Sequence, residues 1–454
     1  MFLFSFFQIF KVTTTSNMET LHIWDTEYSA DSVEWCPVTQ YQNIFVCGTY
    51  QLAENKLSEI ENDESNISAN HETSGDTATS KSHNRLGRLY LFAIDSSKGL
   101  NLLQSLEMPA ILDTKWCHCE INGKILLAVA NAVGDVELYE LCTGRDNASE
   151  WHSCKLDLLC KHSIIQDVSS ETLALSLDWS TARNKIGDAG RDPAITVSDS
   201  TGHISVLKLT DFSLEKTQYW KAHEFEAWIT AFDYWNPSLV YTGGDDCRFH
   251  VYDLRAGTQH PMSTSRVHEA GVTSLHSNAV LENILASGRY SFSHLGGGGG
   301  GGGGGGTTMR TMTTTCKVLA SLEKNFFPSS YDENLRIWDT RHMKRPQFHT
   351  SLKGGVWRLK WDPHRWQHLV AACMHGGFCV VDCNDNTNPP VIVATYGEHQ
   401  SLAYGSDWCH LISDEVPRFV HNGSLEGNDT TILATCSFYD HKLCVSAINK
   451  LSLQ

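Results

Sequence analysis

Short runs of residues that alternate between apolar and polar recur along this chain in sets of three, with turn residues between them. Alternation with a period of two is typical of β-strands that bury one face. The runs that open the sets are DSVEWCP (31–37), LDTKWCH (112–118), LSLDWST (175–181), ITAFDYW (229–235), GVTSLHS (271–277), VWRLKWD (356–362) and YGSDWCH (404–410). The pattern therefore predicts seven units of three strands each.

Repetition of this kind predicts a repeat architecture, in which each unit buries its apolar faces against its neighbours. Seven units of short strands indicate an all-β fold, a seven-bladed WD-repeat β-propeller, with the three runs as strands a, b and c of a blade. The segment TLHIWDT (20–26) then supplies strand d of the last blade, which closes the ring without a free edge. We predict a single propeller domain over residues 18–454.

Three segments do not fit the repeat. Residues 1–17 begin with a short apolar run that no basic segment precedes, and we interpret them as an extension of the gene model. Residues 52–84 are polar and acidic, with little to bury, and are predicted to be a disordered loop. Residues 289–329 are rich in Gly and Thr and separate ILASG from SYDENLRIWDT, which together would make one WD-repeat core. We interpret 289–329 as a spurious insertion rather than a functional loop.

Two repeats carry the buried polar signature of WD repeats. The residues that match it are His268, Ser287, Asp332 and Trp338 in the fifth repeat, and His223, Thr242 and Asp246, with Tyr252 replacing Trp, in the fourth. A His beside an Asp can indicate catalysis, but here each imidazole is expected to bond the turn Asp and order its own blade.

Charge and cysteine content exclude several classes of function. The chain has 35 basic and 52 acidic side chains, a net charge of -17, which argues against a non-specific nucleic-acid binder or a protein that docks on anionic membranes. Its 15 cysteines are scattered, without a CxxC pair, as expected of reduced thiols in the cytoplasm. A zinc site is the weaker alternative, and the closest-spaced candidate ligands are Cys117-His118-Cys119 and Cys379 with Cys383. We predict no metal and no cofactor.

Sequence motifs alone support only an interaction scaffold. The chain contains no G-x-S-x-G, HExxH, phosphate-binding or dinucleotide-binding motif. Fold by itself does not specify function, because propellers support many activities.

Segments between the repeats are more specific. Residues 221–246, 25–37, 173–183, 354–363 and 369–378 closely resemble the WD-repeat diphthine methyl ester hydrolase family of eukaryotes, whose older name is diphthine methyltransferase. The four residues Phe225-Glu226-Ala227-Trp228, for example, are not required by a blade. The resemblance implies removal of the methyl ester from methylated diphthine on the modified histidine of the translocation elongation factor, before amidation to diphthamide. That factor is the implied partner, and the cytoplasm is the implied location.

Candidate substrate-binding residues come from the loops that share one rim in such propellers, the d–a and b–c loops. The implied substrate carries a trimethylammonium group, which favours aromatic faces and nearby carboxylates. The predicted substrate-binding residues are Tyr28, Trp228, Asp245, Trp357 and Tyr404. Packing within the rim is the alternative role for these aromatic side chains.

Ester hydrolysis also needs a base or a nucleophile and donors for the oxyanion. The predicted catalytic residues are His375 as the base, Glu226 as a source of negative charge and Arg358 as the oxyanion donor. His375 could instead be a solvated surface group, and Arg358 could pair with an acid of a neighbouring blade. Ser406 and Cys373 are weaker candidates for a nucleophile.

A non-catalytic adaptor is the competing hypothesis. The tetrapeptide Trp338-Asp339-Thr340-Arg341 fits the WDxR pattern by which some WD-repeat proteins dock on the adaptor of a cullin ubiquitin ligase, and Tyr252–Arg255 is a looser match.

Overall fold

The computed structural model describes residues 18–53, 85–95, 99–143, 153–166, 171–182, 192–290, 333–384, 387–412, 415–416 and 430–449. Seven antiparallel four-stranded sheets follow one another along the described chain, as the repeat predicts. The fold is the seven-bladed propeller predicted from the sequence. The segments 1–17 and 54–84, and most of the insertion, lie outside the described residues.

The first three blades run from the innermost strand outwards. Blade one contains β2 (Ser29–Trp35), β3 (Ile44–Leu52), β4 (Arg85–Asp95) and β5 (Gly99–Pro109). Blade two contains β6 (Ile111–Trp116), β7 (Leu126–Asn131), β8 (Asp135–Cys142) and β9 (Lys155–Ser163). Blade three contains β10 (Ala174–Trp179), β11 (Ala194–Asp199), β12 (His203–Thr210) and β13 (Ser213–Lys221).

The next three blades repeat this order. Blade four contains β14 (Ile229–Phe232), β15 (Leu239–Gly243), β16 (Phe249–Asp253) and β17 (Ser263–Ser265). Blade five contains β18 (Gly271–Ser277), β19 (Ile284–Tyr290), β20 (Asn334–Asp339) and β21 (Phe348–Ser351). Blade six contains β22 (Arg358–Trp361), β23 (His368–Ala372), β24 (Phe378–Asp382) and β25 (Val391–Tyr396).

Blade seven joins the two ends of the described chain. It contains β26 (Ala403–Trp408), β27 (Thr430–Ser437), β28 (Lys442–Asn449) and β1 (Met18–Asp25). Strand β1 pairs antiparallel with β28, from Met18 opposite Ile448 to Asp25 opposite Lys442. The segment 20–26 therefore closes the ring, as predicted, and the backbone groups of β28 have partners on both sides.

The last residues of the inner strands bond each blade to its neighbour. Indole N–H groups donate to a carbonyl oxygen of the preceding inner strand at 3.0–3.1 Å; these pairs are Trp116–Glu34, Trp179–Lys115, Trp361–His276 and Trp408–Lys360. Carboxylates accept a backbone N–H of the following inner strand at 2.7–3.0 Å; these pairs are Asp113–Leu177, Asp178–Phe232 and Asp407–Trp35. The recurring Asp and Trp near the ends of these runs thus tie the blades together.

Apolar side chains fill the spaces between blades. Between blades seven and one, the ring of Trp35 lies 4.4 Å from that of Phe45, which stacks on Phe92 at 5.2 Å. Trp24 of β1 contacts Phe92 edge-on, so the closing strand joins the same cluster. Burying each such side chain contributes roughly 1.5–3 kcal/mol.

Two predicted segment boundaries shift in the structure. Strand β19 continues through Arg289 and Tyr290, the first two residues of the predicted insertion, because both pack in the blade and are buried. Strand β3 continues to Leu52, the first residue of the predicted acidic loop. Among the residues that the structure describes, no helix is long and apolar enough to cross a membrane.

Candidate functional site

Charged side chains of the inner strands line the central channel and pair across it. Lys360 Nζ of blade six lies 2.5 Å from Glu34 Oε2 of blade one, whereas Lys115 Nζ pairs within its own strand, 2.6 Å from Asp113 Oδ1. Arg358 Nη2 lies 3.3 Å from Asp113 Oδ1. Arg358 thus pairs with an acid of blade two, across the channel from its own blade six, and not with an acid of a neighbouring blade. Burial opposes ionisation of Asp113, but Arg358 and Lys115 outweigh it and hold the pKa of this carboxyl below its usual value.

Aromatic rings form a continuous cluster at the upper end of the channel, where the inner strands begin. Trp357 is central: its ring centroid lies 5.7 Å from Trp228, 5.6 Å from Tyr290 and 4.7 Å from Tyr404. Phe438 extends the row at 4.8 Å from Tyr404. We call these five residues the rim aromatic cluster. Trp228 and Trp357 keep part of their surface accessible, so the cluster offers aromatic faces at the channel mouth.

A small cavity lies directly below this cluster. Its volume is about 20 Å³, room for about one water molecule. The residues that line this upper cavity are Asp31, Leu112, Leu175, Ser176, Trp228, Thr273, Trp357 and Arg358. It therefore brings a carboxyl, a guanidinium and two hydroxyls against two rings of the rim aromatic cluster.

Asp31 is the unusual residue of the upper cavity. Its side chain is buried, and its Oδ1 accepts no hydrogen bond from any described residue. Burial raises the pKa of Asp31 to about 8; Arg358 opposes this rise, and the negative charge of Asp113 adds to it. A carboxyl with this pKa exchanges a proton close to neutral pH.

A second cavity, of about 90 Å³, lies lower in the channel. Three half-buried imidazoles line it, from His118, His276 and His410. Burial, together with the positive charge of Lys360, lowers the pKa of His118 and of His410 to about 3, so these rings are neutral. Burial raises the pKa of Asp178 and of Asp407, which also line this lower cavity, to about 7.

Four of the predicted substrate-binding residues meet at the rim. Trp228, Trp357 and Tyr404 belong to the rim aromatic cluster, and Trp228 Nε1 donates to Asp245 Oδ1 at 3.2 Å. Gly271 permits this arrangement, since a Cβ there would lie 2.8 Å from Asp245 Oδ1 and 3.5 Å from Trp228 Cδ1.

Tyr28 does not join the cluster. The Arg88 guanidinium lies over its ring, 4.4 Å from the centroid, and Arg88 also pairs with Glu27 and Glu107. A cation of the protein therefore already occupies this ring face, which contradicts the predicted role of Tyr28 in binding the substrate cation.

Only one predicted catalytic residue lies in the upper cavity. Arg358 lines it, whereas Glu226 is buried beside it, where its carbonyl oxygen accepts the Asp245 N–H at 2.9 Å and so joins the d–a loop to the b–c turn of blade four. His375 is exposed in the turn between β23 and β24 and lines neither cavity. Partial burial of the imidazole against the turn lowers the pKa of His375.

The His, Thr and Asp of the predicted polar group lie together in blade four, whereas in blade five only the contacts among His268, Ser287 and Trp338 are described. In blade four, His223 Nδ1 lies 2.9 Å from Asp246 Oδ1, and its Nε2 lies 2.8 Å from Thr242 Oγ1.

In blade five, Trp338 Nε1 donates to Ser287 Oγ at 2.8 Å, and Ser287 Oγ lies 3.3 Å from His268 Nε2. Asp332 lies outside the described residues.

Blade seven contains a further network of this kind that was not predicted from the sequence. His399 Nδ1 lies 2.5 Å from Ser437 Oγ, His399 Nε2 lies 2.9 Å from Thr435 Oγ1, and Ser437 bonds Asp440. Blade seven lacks the Trp of the signature, but His399 and Thr435 occupy the positions of His223 and Thr242 in blade four and, with Asp440 in the following turn, could have revealed the network.

Possible metal ligands are already engaged. Among the described residues, one group of three brings ligand atoms within 4.8 Å of one another, namely His223, Asp246 and His250. Two of its members belong to the blade-four network. Cys117 and His118 both contact Thr181, at 3.4 and 3.1 Å.

The two weaker nucleophile candidates are both buried. The neighbouring Cys379 and burial raise the pKa of Cys373, which keeps this thiol protonated. Ser406 lies in the middle of β26 with no exposed surface.

Comparisons with known proteins point to one family. No protein-family model matches the chain. The diphthine methyltransferase of Homo sapiens is 34% identical over 408 residues, which are 87% of this chain and 75% of that protein. A diphthine methyltransferase homolog of Dictyostelium discoideum is 32% identical over 92% of this chain and 96% of that protein, and the diphthine methyltransferase of Schizosaccharomyces pombe is 26% identical over 92% and 96%.

A solved structure matches the fold. One chain of a structure titled "Crystal Structure of Mitotic Checkpoint Complex" superposes with a TM-score of 0.56, over 96% of this chain and 94% of that chain. Its sequence identity is 13%, so the likeness concerns the fold alone.

Proposed function

This chain belongs to the diphthine methyltransferase family, and from that premise we propose that it acts in diphthamide biosynthesis as a methyl ester hydrolase. The proposed substrate is methylated diphthine on the modified histidine of the eukaryotic translocation elongation factor. Water and the methyl ester give a carboxylate and methanol, which leaves diphthine ready for amidation. The reaction would take place in the cytoplasm, with the elongation factor as the partner.

The observation that carries this proposal is the position of the rim aromatic cluster directly above the upper cavity. A trimethylammonium group is attracted to aromatic faces and needs no hydrogen-bond donor. Trp228 and Trp357 offer such faces. Asp245 adds a carboxylate beside them, since its Oδ1 accepts the Trp228 Nε1–H at 3.2 Å. A substrate held by its cation at this mouth would present its nearby ester to the upper cavity.

The groups below the cluster suit hydrolysis in particular. Attack by water needs a base and a donor for the oxyanion, and Asp31 and Arg358 both line the upper cavity. The net charge of -17 also favours approach of a cationic side chain and of a basic partner surface.

Methanol release from the natural substrate tests the proposal. The full chain is incubated with elongation factor isolated from cells that lack this enzyme, so that methylated diphthine has accumulated. We expect methanol in the supernatant, and the loss of one methylene mass from the peptide with the modified histidine. Heat-killed protein is the control, and methanol release no greater than in this control would contradict the proposal.

The adaptor hypothesis has one observation in its favour. Arg341 of the WDxR pattern is exposed at the end of β20, where it forms two hydrogen bonds with Asp339 at 2.9 and 2.7 Å. A pull-down from lysate separates the two functions, since recovery of a cullin ligase adaptor would favour the adaptor and recovery of the elongation factor would favour the enzyme. Arg341→Ala should abolish recovery of the cullin ligase adaptor and leave recovery of the elongation factor unchanged.

A further inference from the structure

We infer that Asp31 is the general base of the hydrolysis and that the upper cavity holds the attacking water. This inference rests on the proposed function, because it assigns the proton transfer that the reaction requires.

Asp31 differs first from the other aspartates of the channel. Asp113, Asp178 and Asp407 each accept a backbone N–H of the following blade and so stabilise the ring. Asp31 lies in β2, buried like them, yet its Oδ1 accepts nothing from any described residue. A buried polar atom without a partner costs stability, typically about 1–3 kcal/mol. A site for a ligand that can donate to it accounts for such a position.

The upper cavity has the size and the chemistry of a water site. About 20 Å³ fits one water molecule, and a buried water needs two to four polar partners. Asp31 and Arg358 line the cavity and supply an acceptor and a donor. The Ser176 and Thr273 hydroxyls also line it, but Ser176 Oγ bonds Ser198 Oγ at 2.8 Å and Thr273 Oγ1 donates to Val356 O at 2.6 Å. The indoles of Trp228 and Trp357 form its upper wall, between the water and the rim where the substrate cation would lie.

The charges around Asp31 suit a base. Arg358 of β22 and Asp113 of β6 act on it with opposite signs, and the uncharged Tyr404 of β26 and Cys436 of β27 complete its surroundings. Burial keeps both the phenol and the thiol protonated, because it raises the pKa of each group. Asp31 is therefore not locked as a permanent anion by an excess of cations, and it can both take and return a proton.

The proposed step conserves atoms and charge. The water gives a proton to the Asp31 carboxylate while its oxygen bonds to the ester carbonyl carbon, and the carbonyl oxygen becomes an oxyanion facing Arg358. The intermediate collapses, the bond from the acyl carbon to the methoxy oxygen breaks, and the leaving oxygen takes the proton from Asp31. Methanol and the diphthine carboxylic acid result; the acid loses its proton to solvent, and Asp31 returns to its ionised state.

The pH dependence follows from the ionised form being the active one. Burial raises the pKa of Asp31 to about 8, so turnover should rise with pH up to about 8 and level off above it. The same raised pKa lowers the stability of the fold as the pH increases from acid towards 8, because the buried carboxyl then tends to ionise. Replacing Asp31 by Asn should remove that penalty.

The experiment measures methanol release and melting temperature for the full chain, Asp31→Asn and the control Asp178→Asn. Asp178 is a matched control because it is also buried with a raised pKa, but it lies in the lower cavity and bonds Phe232. We expect Asp31→Asn to lose at least about 100-fold in turnover, the usual scale for loss of a general base. Its melting temperature should equal or exceed that of the wild type, most clearly near pH 8. Asp178→Asn should keep its turnover and its pH profile.

Failure of the inference and failure of the proposed function give different results. A wild type that releases methanol while Asp31→Asn keeps most of its turnover overturns the inference alone. So does a wild-type profile that does not rise between pH 6 and 8, a result that needs no variant to fold. Equal losses in Asp31→Asn and Asp178→Asn also overturn it and would move the chemistry to the lower cavity. A wild type without methanol release overturns both.

Discussion

The upper and lower parts of the channel are built from the same inner strands but differ in what their buried acids contact. In the lower part Asp178 and Asp407 accept backbone N–H groups at 2.8 and 2.7 Å, and Glu34 pairs with Lys360. In the upper part Asp31 Oδ1 has no such partner among the described residues. The channel thus contains two kinds of buried acid within the length of one strand. Asp178 and Asp407 hold blades together, whereas Asp31 is available to a ligand. Hydrogen bonding, not burial or charge, separates the two kinds.

The largest expected effects come from the cations that pair across the channel at the two levels. Arg358→Ala leaves Asp113 with Lys115 as its remaining cation, and Lys360→Ala leaves Glu34 with Lys115 at 3.9 Å. Each should therefore lower the free energy of unfolding by up to about 3–5 kcal/mol, the cost of breaking a buried ion pair. Turnover per folded molecule should fall by about 100-fold or more for Arg358→Ala only, because Arg358 lines the upper cavity.

Melting curves measure the loss of stability. Methanol release, assayed at a temperature where both variants are folded, measures the loss of turnover. Arg358→Lys keeps the charge without the planar fork and serves as the milder variant. Equal turnover losses for the two alanine variants would contradict the division of the channel.

The next effect concerns an acid that joins two blades. Asp178→Ala removes the acceptor of the Phe232 N–H and should lower the free energy of unfolding by about 1–3 kcal/mol, as measured by urea denaturation. Asp178→Asn keeps an oxygen in the same place and should lose much less. If the two variants are equally destabilised, the hydrogen bond is not what this carboxyl contributes.

A smaller effect is expected at the rim aromatic cluster. Trp357→Ala removes the central ring and should raise KM for the methylated elongation factor about tenfold with little change in kcat, the size of one cation–π contact. Trp357→Phe retains an aromatic face, so its KM should lie between those of the wild type and Trp357→Ala. A fall in kcat with KM unchanged would show that the ring serves the chemical step and not cation binding.

The smallest effect is expected at His375, the base predicted from the sequence. If it were the base, His375→Ala would lower turnover by about 100-fold. Because the imidazole is exposed in the turn between β23 and β24 and lines neither cavity, we expect a loss of less than about tenfold. Comparison with Asp31→Asn in the same methanol assay decides between the two assignments.

Part of the site was predictable because it depends on short-range patterns. Trp228, Asp245 and Trp357 lie in loops whose place in the blade follows from the repeat, so their position at one rim could be predicted. Tyr404, which was assigned to such a loop, is instead the second residue of β26, next to the same rim. Tyr28 lies in such a loop too, but Arg88 of β4 covers its ring, and nothing near Tyr28 in sequence announces that contact.

Regular spacing within the repeats was enough to predict the strand triplets and their number, and it brought together the His, Thr and Asp that meet in blade four. The match of residues 20–26 to the other end of the chain predicted how the ring closes. Which buried acids are bonded follows instead from the assembled ring. Arg358 meets Asp113 across the channel, Asp407 meets the backbone of Trp35 where the ring closes, and Asp31 meets no donor at Oδ1 among the described residues. The reason is physical: a hydrogen bond or ion pair forms where a donor and an acceptor atom come within about 3 Å of each other. For residues on strands hundreds of positions apart in sequence, that approach is set by closure of the ring.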